Sequence, residues 1–440
     1  MLKRASLIVV FAIASRALSQ AGQTPASSGG AQMQTPPMIS GESYSTEVGS
    51  EARSNYLSGG ISFQTAYDDN VLGFSTGKPV SDVTYNIQPS ITFNQSTARQ
   101  RRIFSYSPGF TFYDPTSALN EATQSVTGSD QYRLTQHITV SGNESFQKSS
   151  NAFSQTESAL GGPIAGSTQP QGAIAPFANM ISNVTGGNVS YQFNRNGLIG
   201  GAGAYARQSY LNASEAVGLS NSSSTSGSLY FSRRMSREQY IGAEYQYVRS
   251  LAELPANGQS ETQTHTFSGF YAIYFTPEFS LSISAGPQYV NSDQLRLFSD
   301  STSWGPAATA AIAWQGQRTS FTASFGRTVM EVPGLFGAEE STTGSASARW
   351  RASRNWSLSC NADYGIQKSV GLVSLLTSQD GHRISGVITA GRSFRDRFEL
   401  NFGYDRMHES YSGITTLANA PDSDRTFATL SYRFTRPLGR

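Results

Sequence analysis

The sequence predicts an all-β protein, a transmembrane up-and-down antiparallel β-barrel of about eighteen strands. Short periplasmic turns and long extracellular loops would join the strands. Three observations lead there. Long stretches alternate apolar and polar residues with a period of two, the charged fraction is low, and tight turns alternate with longer polar connections.

The alternation is clearest between Val83 and Phe112. Val83, Tyr85, Ile87, Pro89, Ile91 and Phe93 share one parity; Thr84, Asn86, Gln88, Ser90, Thr92 and Asn94 share the other. After a polar turn from Gln95 to Arg102, Phe104, Tyr106, Pro108, Phe110 and Phe112 alternate with Ser105, Ser107, Gly109 and Thr111. Strand side chains point to opposite faces in turn, so each arm has an apolar face and a wet face. Each arm has about the ten residues that a tilted strand needs to cross a bilayer. Composition agrees. Charged residues make up 14%, against about 25% in soluble domains. The net charge of +2 and the lack of a basic stripe speak against nucleic acid as a partner.

Residues 1–21 read as a secretory signal. Lys3 and Arg4 supply the positive start, Ala5 to Ala14 the apolar core, and Ala17-Leu18-Ser19 or Ser19-Gln20-Ala21 the cleavage site. The apolar run is short of the roughly 18 residues of a spanning helix, so any crossing is made by strands. Residues 22–55, rich in Gly, Pro, Ser, Gln and Thr, read as a flexible periplasmic lead. The barrel then occupies 56–440. Cys360 is the only cysteine, which leaves no internal disulfide and no thiolate metal cluster. Its parity with Trp356, Leu358 and Tyr364 points it toward lipid.

The first strand is read from Leu57 to Tyr67. The others are expected at 83–93, 104–112, 121–134, 138–149, 185–194, 198–210, 223–234, 239–250, 263–275, 280–291, 304–315, 319–331, 341–351, 356–368, 382–393, 398–409 and 424–434. The stretches at 121–134 and 223–234 alternate poorly; without them the count falls to sixteen. The tight turns, such as Asn194-Arg195-Asn196-Gly197 and Arg395-Asp396-Arg397, recur roughly every 40 residues. Two long strands per repeat, rather than four short ones, disfavour a propeller. Tyr67-Asp68-Asp69-Asn70-Val71 after a Gly-containing first strand resembles the opening of the β-barrel porin families of Gram-negative bacteria. The resemblance implies an outer-membrane location and brings no catalytic residues. Ala428, Leu430, Tyr432 and Phe434 resemble the aromatic final strand by which the barrel assembly machinery recognises such proteins. Lipid and lipopolysaccharide are then the surrounding partners, and a homo-oligomer is compatible with the sequence.

Candidate lumen-lining charges are Glu244, Arg349, Arg351, Asp363, Glu399, Asp405 and Arg433. Both signs occur without a ring of one sign, so weak charge selectivity is expected. The longest connection, 150–183, is expected either to fold into the lumen or to shield the top. Folded in, Phe153, Gln155, Glu157 and Phe177 would line the constriction. Asp68 and Asp69 could ligate a cation, but the spacing of a calcium loop is absent and a solvated loop tip is the preferred reading. His382 and His408 face each other across a turn, close in sequence to Asp380, Asp405 and Ser410, so a rim hydrolase is a distant third reading. The parity of His408 with Phe402 and Tyr404 turns it outward. The preferred function is therefore a passive porin-like channel, with no cofactor, no metal and no covalent chemistry. The alternative is a barrel for export or assembly of a surface polysaccharide.

Overall fold

The computed structural model describes residues 55–72, 79–149, 179–211, 219–253, 259–276, 278–294, 301–332, 335, 337–370, 380–394, 397–412 and 422–438. The signal, most of the lead and most of the 150–183 connection lie outside these residues. Eighteen strands follow in chain order: β1 (Tyr56–Asp68), β2 (Asp82–Ser96), β3 (Gln100–Asp114), β4 (Glu121–Arg133), β5 (Ile138–Ser149) and β6 (Met180–Asn194). Next come β7 (Gly197–Tyr210), β8 (Asn221–Arg234), β9 (Gln239–Glu253), β10 (Gln259–Thr276), β11 (Phe279–Gln294) and β12 (Ser301–Gln315). The last are β13 (Thr319–Glu331), β14 (Ala338–Trp350), β15 (Trp356–Ser369), β16 (Gly381–Phe394), β17 (Phe398–Tyr411) and β18 (Asp422–Pro437). Every strand pairs antiparallel with its sequence neighbours, and β1 pairs with β18 over its whole length, so the sheet closes. The two poorly alternating stretches are full strands, paired on both sides.

Short turns gather at one rim, and hydroxyl side chains hold several of them. The backbone N–H of Gln100 donates to Thr97 Oγ1 at 3.0 Å, and those of His137 and Ile138 donate to Thr135 Oγ1 at 3.1 and 3.0 Å. Ser353 Oγ accepts from Asn355 and Trp356 in the same way. Such local bonds satisfy backbone donors where the ladder ends.

Register separates the two faces of the wall. Outward residues are the exposed apolar ones: Ile61, Phe63, Phe104, Leu229, Phe267, Trp304, Ile388 and Phe402. Inward residues are small, polar and buried by the concave curvature, among them Ser58, Ser62, Ser228, Ser232, Thr264, Ser341 and Thr429. Cys360 is exposed on the apolar side. In the bilayer the apolar side meets lipid, and closure leaves no strand edge to be hydrated there.

The Asp68–Asn70 motif lies at the closing seam. Asp68 accepts from Ser423 Oγ at 2.5 Å and from the Asn70 N–H at 3.0 Å, while Asn70 Nδ2 donates to the Asp422 carbonyl at 2.6 Å. Asp69 accepts the Asp424 N–H at 2.8 Å. Asp68 and Asn70 are buried. The preferred reading of a solvated tip is therefore corrected for Asp68, while Asp69 is exposed as that reading expects. These residues tie the top of β1 to β18, because a closing strand pair far apart in sequence needs its register fixed by side chains.

Candidate functional site: the lumen and its outer mouth

The lumen is lined in every strand by hydroxyls, amides and glycines. Cross-strand hydroxyl pairs recur, with Thr322 to Ser347 at 2.7 Å, Ser324 to Ser345 at 2.6 Å and Thr92 to Ser105 at 2.9 Å. These side chains offer hydrogen bonds to water and solutes without themselves being charged.

The inward charges are sorted by height. Near the short-turn rim stand Arg101, Arg133, Arg234, Arg349 and Arg433, with Glu399 as their acidic neighbour. Toward the long-loop rim stand Asp68, Asp82, Glu121, Glu339 and Glu409, with Arg383 and Arg425 among them, while Asp363 and Asp405 lie at mid-height. Arg425 Nη2 lies 3.0 Å from Asp405 Oδ2 with both side chains nearly buried, and Arg383 stands in register with Glu409. With the Arg425–Asp405 pair set aside, carboxylates outnumber arginines at the outer end, and arginines dominate the inner end.

Six of the seven predicted lumen residues lie on inward positions of the wall. Asp363 and Asp405 are buried at mid-height on β15 and β17; Arg349, Glu399 and Arg433 lie near the short-turn end. Glu244 faces Tyr230 and Ser268 on the opposite side of the barrel. Arg351 lies past the end of β14, exposed in a turn. The structure thus brings Asp405 to Arg425 and leaves Glu244 apart from the rest. Arg383, Glu409 and Arg425 went unread in the sequence, although their alternation with His382, Ile384, His408 and Thr426 marks them as inward.

Phe153, Gln155, Glu157 and Phe177 lie outside the described residues. Another segment crosses the outer mouth. The β12–β13 ladder stops at Ala308 and Arg327, well short of the upper ends of both strands. Continued in register, the ladder would set Pro306 against Val329. Proline has no N–H to give the Val329 carbonyl, so half of that hydrogen-bonded pair is lost. The upper part of β13 instead bends inward, still paired with β14, and touches β9, β10 and β11. Gln288 of β11 takes the missing partner's place. Its Nε2 donates to the Val329 carbonyl at 2.9 Å, and its Oε1 accepts the Val329 N–H at 2.7 Å. Val329 also packs with Val290 and Ala338.

Beyond β13, Val332 and Leu335 expose none of their surface. They join Met180, Tyr210 and Leu219 on one side and Tyr411 on the other in a single apolar cluster. Ser220 Oγ donates to the Leu335 carbonyl at 2.6 Å. Eight strand steps separate β7 from β17 by the shorter way round. A round wall of eighteen strands is roughly 35 Å across, so residues from nearly opposite sides meet only because the hairpin bridges them. Gly337, at a φ of 93°, makes the left-handed bend that returns the chain to β14.

The histidine pair is on the other side of the wall. His382 and His408 have ring centroids 5.5 Å apart on the outward face, and His408 Nδ1 lies 3.5 Å from Asp422. Arg406 pairs with Asp422 at 2.8 Å and also with Asp424. Asp405 points inward to Arg425, so it cannot serve His408. Among the described residues no group of three or more His, Cys, Asp or Glu side chains could hold a metal ion.

A closed antiparallel wall, apolar outside and hydroxylated inside, decides the class. The chain is a transmembrane β-barrel of eighteen strands. No protein-family model matches the sequence, and no curated protein matches it either. Among solved structures it is similar to Acinetobacter baumannii OccAB2, with a TM-score of 0.43 and 9% identity over 87% of this chain and 98% of that one. Pseudomonas aeruginosa OpdQ gives 0.42 and 9% over 88% and 99%. A bacterial polysaccharide outer membrane secretin gives 0.33 and 11% over 86% and 98%. Scores this low decide nothing about solute or partner.

Proposed function

We propose that this barrel is a porin-like channel for passive diffusion of small hydrophilic solutes across the outer membrane. The observation that carries the reading is the continuous hydroxyl and amide lining of the inward parity, strand after strand. A wall of that kind solvates sugars and other uncharged polar solutes without trapping them. The inward charges that pair with each other contribute little net field, so overall ion selectivity is weak. The reading includes no covalent chemistry. The test is swelling of liposomes carrying the refolded full chain in isotonic arabinose. Swelling supports the channel; protein that is folded by its heat-modifiable gel mobility yet gives no swelling refutes it.

A second reading, surface polysaccharide export, has one observation in its favour. Tyr230, Tyr240 and Tyr274 gather on the inner wall near Leu198, with Tyr240 and Tyr274 edge-to-face at 5.9 Å. Aromatic faces stack on the apolar faces of sugar rings, and Glu244 stands beside Tyr230 to accept hydroxyl hydrogen bonds. Slowed arabinose swelling on adding a long oligosaccharide, relieved by Tyr230→Ala, would favour it.

A further inference from the structure

We propose that Val332 and Leu335, between β13 and β14, form an apolar gate at the outer mouth, selecting uncharged and amphipathic solutes against ions. The inference rests on the channel reading and adds what the mouth admits. Three features support it. The tip is structurally separable from the wall, because the ladder to β12 has already ended at Arg327. It is held shut by a small number of identified contacts: the Gln288 amide on Val329 and the Ser220 hydroxyl on Leu335. The surface it closes on is apolar, formed by Met180, Tyr210, Leu219 and Tyr411.

The chemistry of the constriction sets the selection. An ion passing Val332 and Leu335 would give up its hydration for side chains that offer no dipoles, and an apolar constriction of this kind excludes ions by shedding water. A solute with its own apolar surface loses less there. Below the gate the hydroxylated wall takes over, so the two ends of the lumen do different work. Displacing the tip exposes a mouth lined by the outer carboxylates, and ions can then follow.

The experiment compares ion current and solute flux for the refolded full chain in planar bilayers and liposomes. Val332→Ser with Leu335→Ser should raise mean ion current at least about tenfold, as when a two-state lid loses most of its closed bias. Arabinose swelling should change far less. In a Cys360→Ser background, Ser220→Cys with Leu335→Cys should form a disulfide that lowers the ion current, and reduction should restore it. Equal ion currents in wild type and the serine variant, with swelling retained, overturn the gate and leave the channel standing. Failure of the cysteine pair to crosslink in the folded protein also overturns it. No swelling in any folded variant defeats the channel reading and the gate together.

Discussion

Gln288→Ala should loosen the hairpin tip while leaving the wall intact. Gln288 is almost fully buried and gives both halves of its amide to Val329, with a third contact from Nε2 to Thr328 Oγ1 at 3.2 Å. The Val329 N–H and C=O face the side from which β12 is missing, so alanine leaves both without a partner in a buried place. Each orphaned group costs about 1–3 kcal/mol. The closed position is therefore weakened by at least about 2 kcal/mol, roughly thirtyfold in population. The wall below is untouched, since β11 keeps its ladders to β10 and β12 on either side of position 288. The assay is the rate at which a water-soluble maleimide modifies Leu335→Cys in a Cys360→Ser background. Gln288→Ala should raise that rate by about thirtyfold, in line with the population shift. Thr328→Val, which removes only the two longer contacts to the Gln288 amide and keeps both Val329 bonds, should change it little. An unchanged rate in Gln288→Ala would show that the amide does not hold the tip, and the account of the broken ladder would fail with it.

Four further outcomes follow from the same geometry. Arg425→Ala removes the guanidinium 3.0 Å from Asp405 in a nearly buried site, so it should cost about 3–5 kcal/mol and lower the temperature at which the folded gel band is lost; Asp405→Asn with Arg425→Met should recover most of that loss. At the seam, a Cβ on Gly59 would sit 2.6 Å from Phe434 Cζ, so Gly59→Leu should reduce refolding yield through a crowding cost of about 1–3 kcal/mol. Cys360, on the outward face, should react with a membrane-soluble maleimide and resist a charged one in intact bilayers; the opposite pattern would invert the assignment of faces. Finally, opening variants should pass rectified current in about 0.1 M salt and a nearly linear one in about 1 M, as the Debye length falls from about 10 to about 3 Å. Arg349→Gln with Arg433→Gln should reduce that rectification, and no change would show that the inward arginines do not set it.

The barrel was legible in the sequence because lipid and water impose a period of two wherever both are present. Strands such as Phe398–Tyr411 were read to within a few residues. Strand tops were read short, as in β6, expected from 185 and found from Met180. Above the bilayer both faces are wet, so alternation no longer marks the strand. Charges such as Asp82, Glu121 and Glu339 escaped notice for that reason: they sit at ends where parity has faded. The sorting of charge by height was hidden by a different cause. Sequence order mixes upward and downward strands, so Glu399 and Glu409 look like neighbours on one strand although they face opposite ends of the lumen.

The inward hairpin was the least legible feature, and its cause was nonetheless written in the chain. Pro306 stands on the outward parity of a strand otherwise filled with alanine and tryptophan, and a proline inside a paired strand marks the end of a ladder. What the sequence could not supply is where the released partner goes. That depends on Gln288, distant in sequence and indistinguishable there from the other polar residues of the inner face. Only the register brings its amide to the backbone that Pro306 cannot bind. Length drew attention to 150–183 as the constricting segment, since long loops are often functional. Most of those residues lie outside the described ones; what the described residues add at the mouth is the upper part of β13, which bends inward where it is freed from β12 on one side. A broken strand pair thus places a second segment at the mouth, one that loop length alone does not reveal.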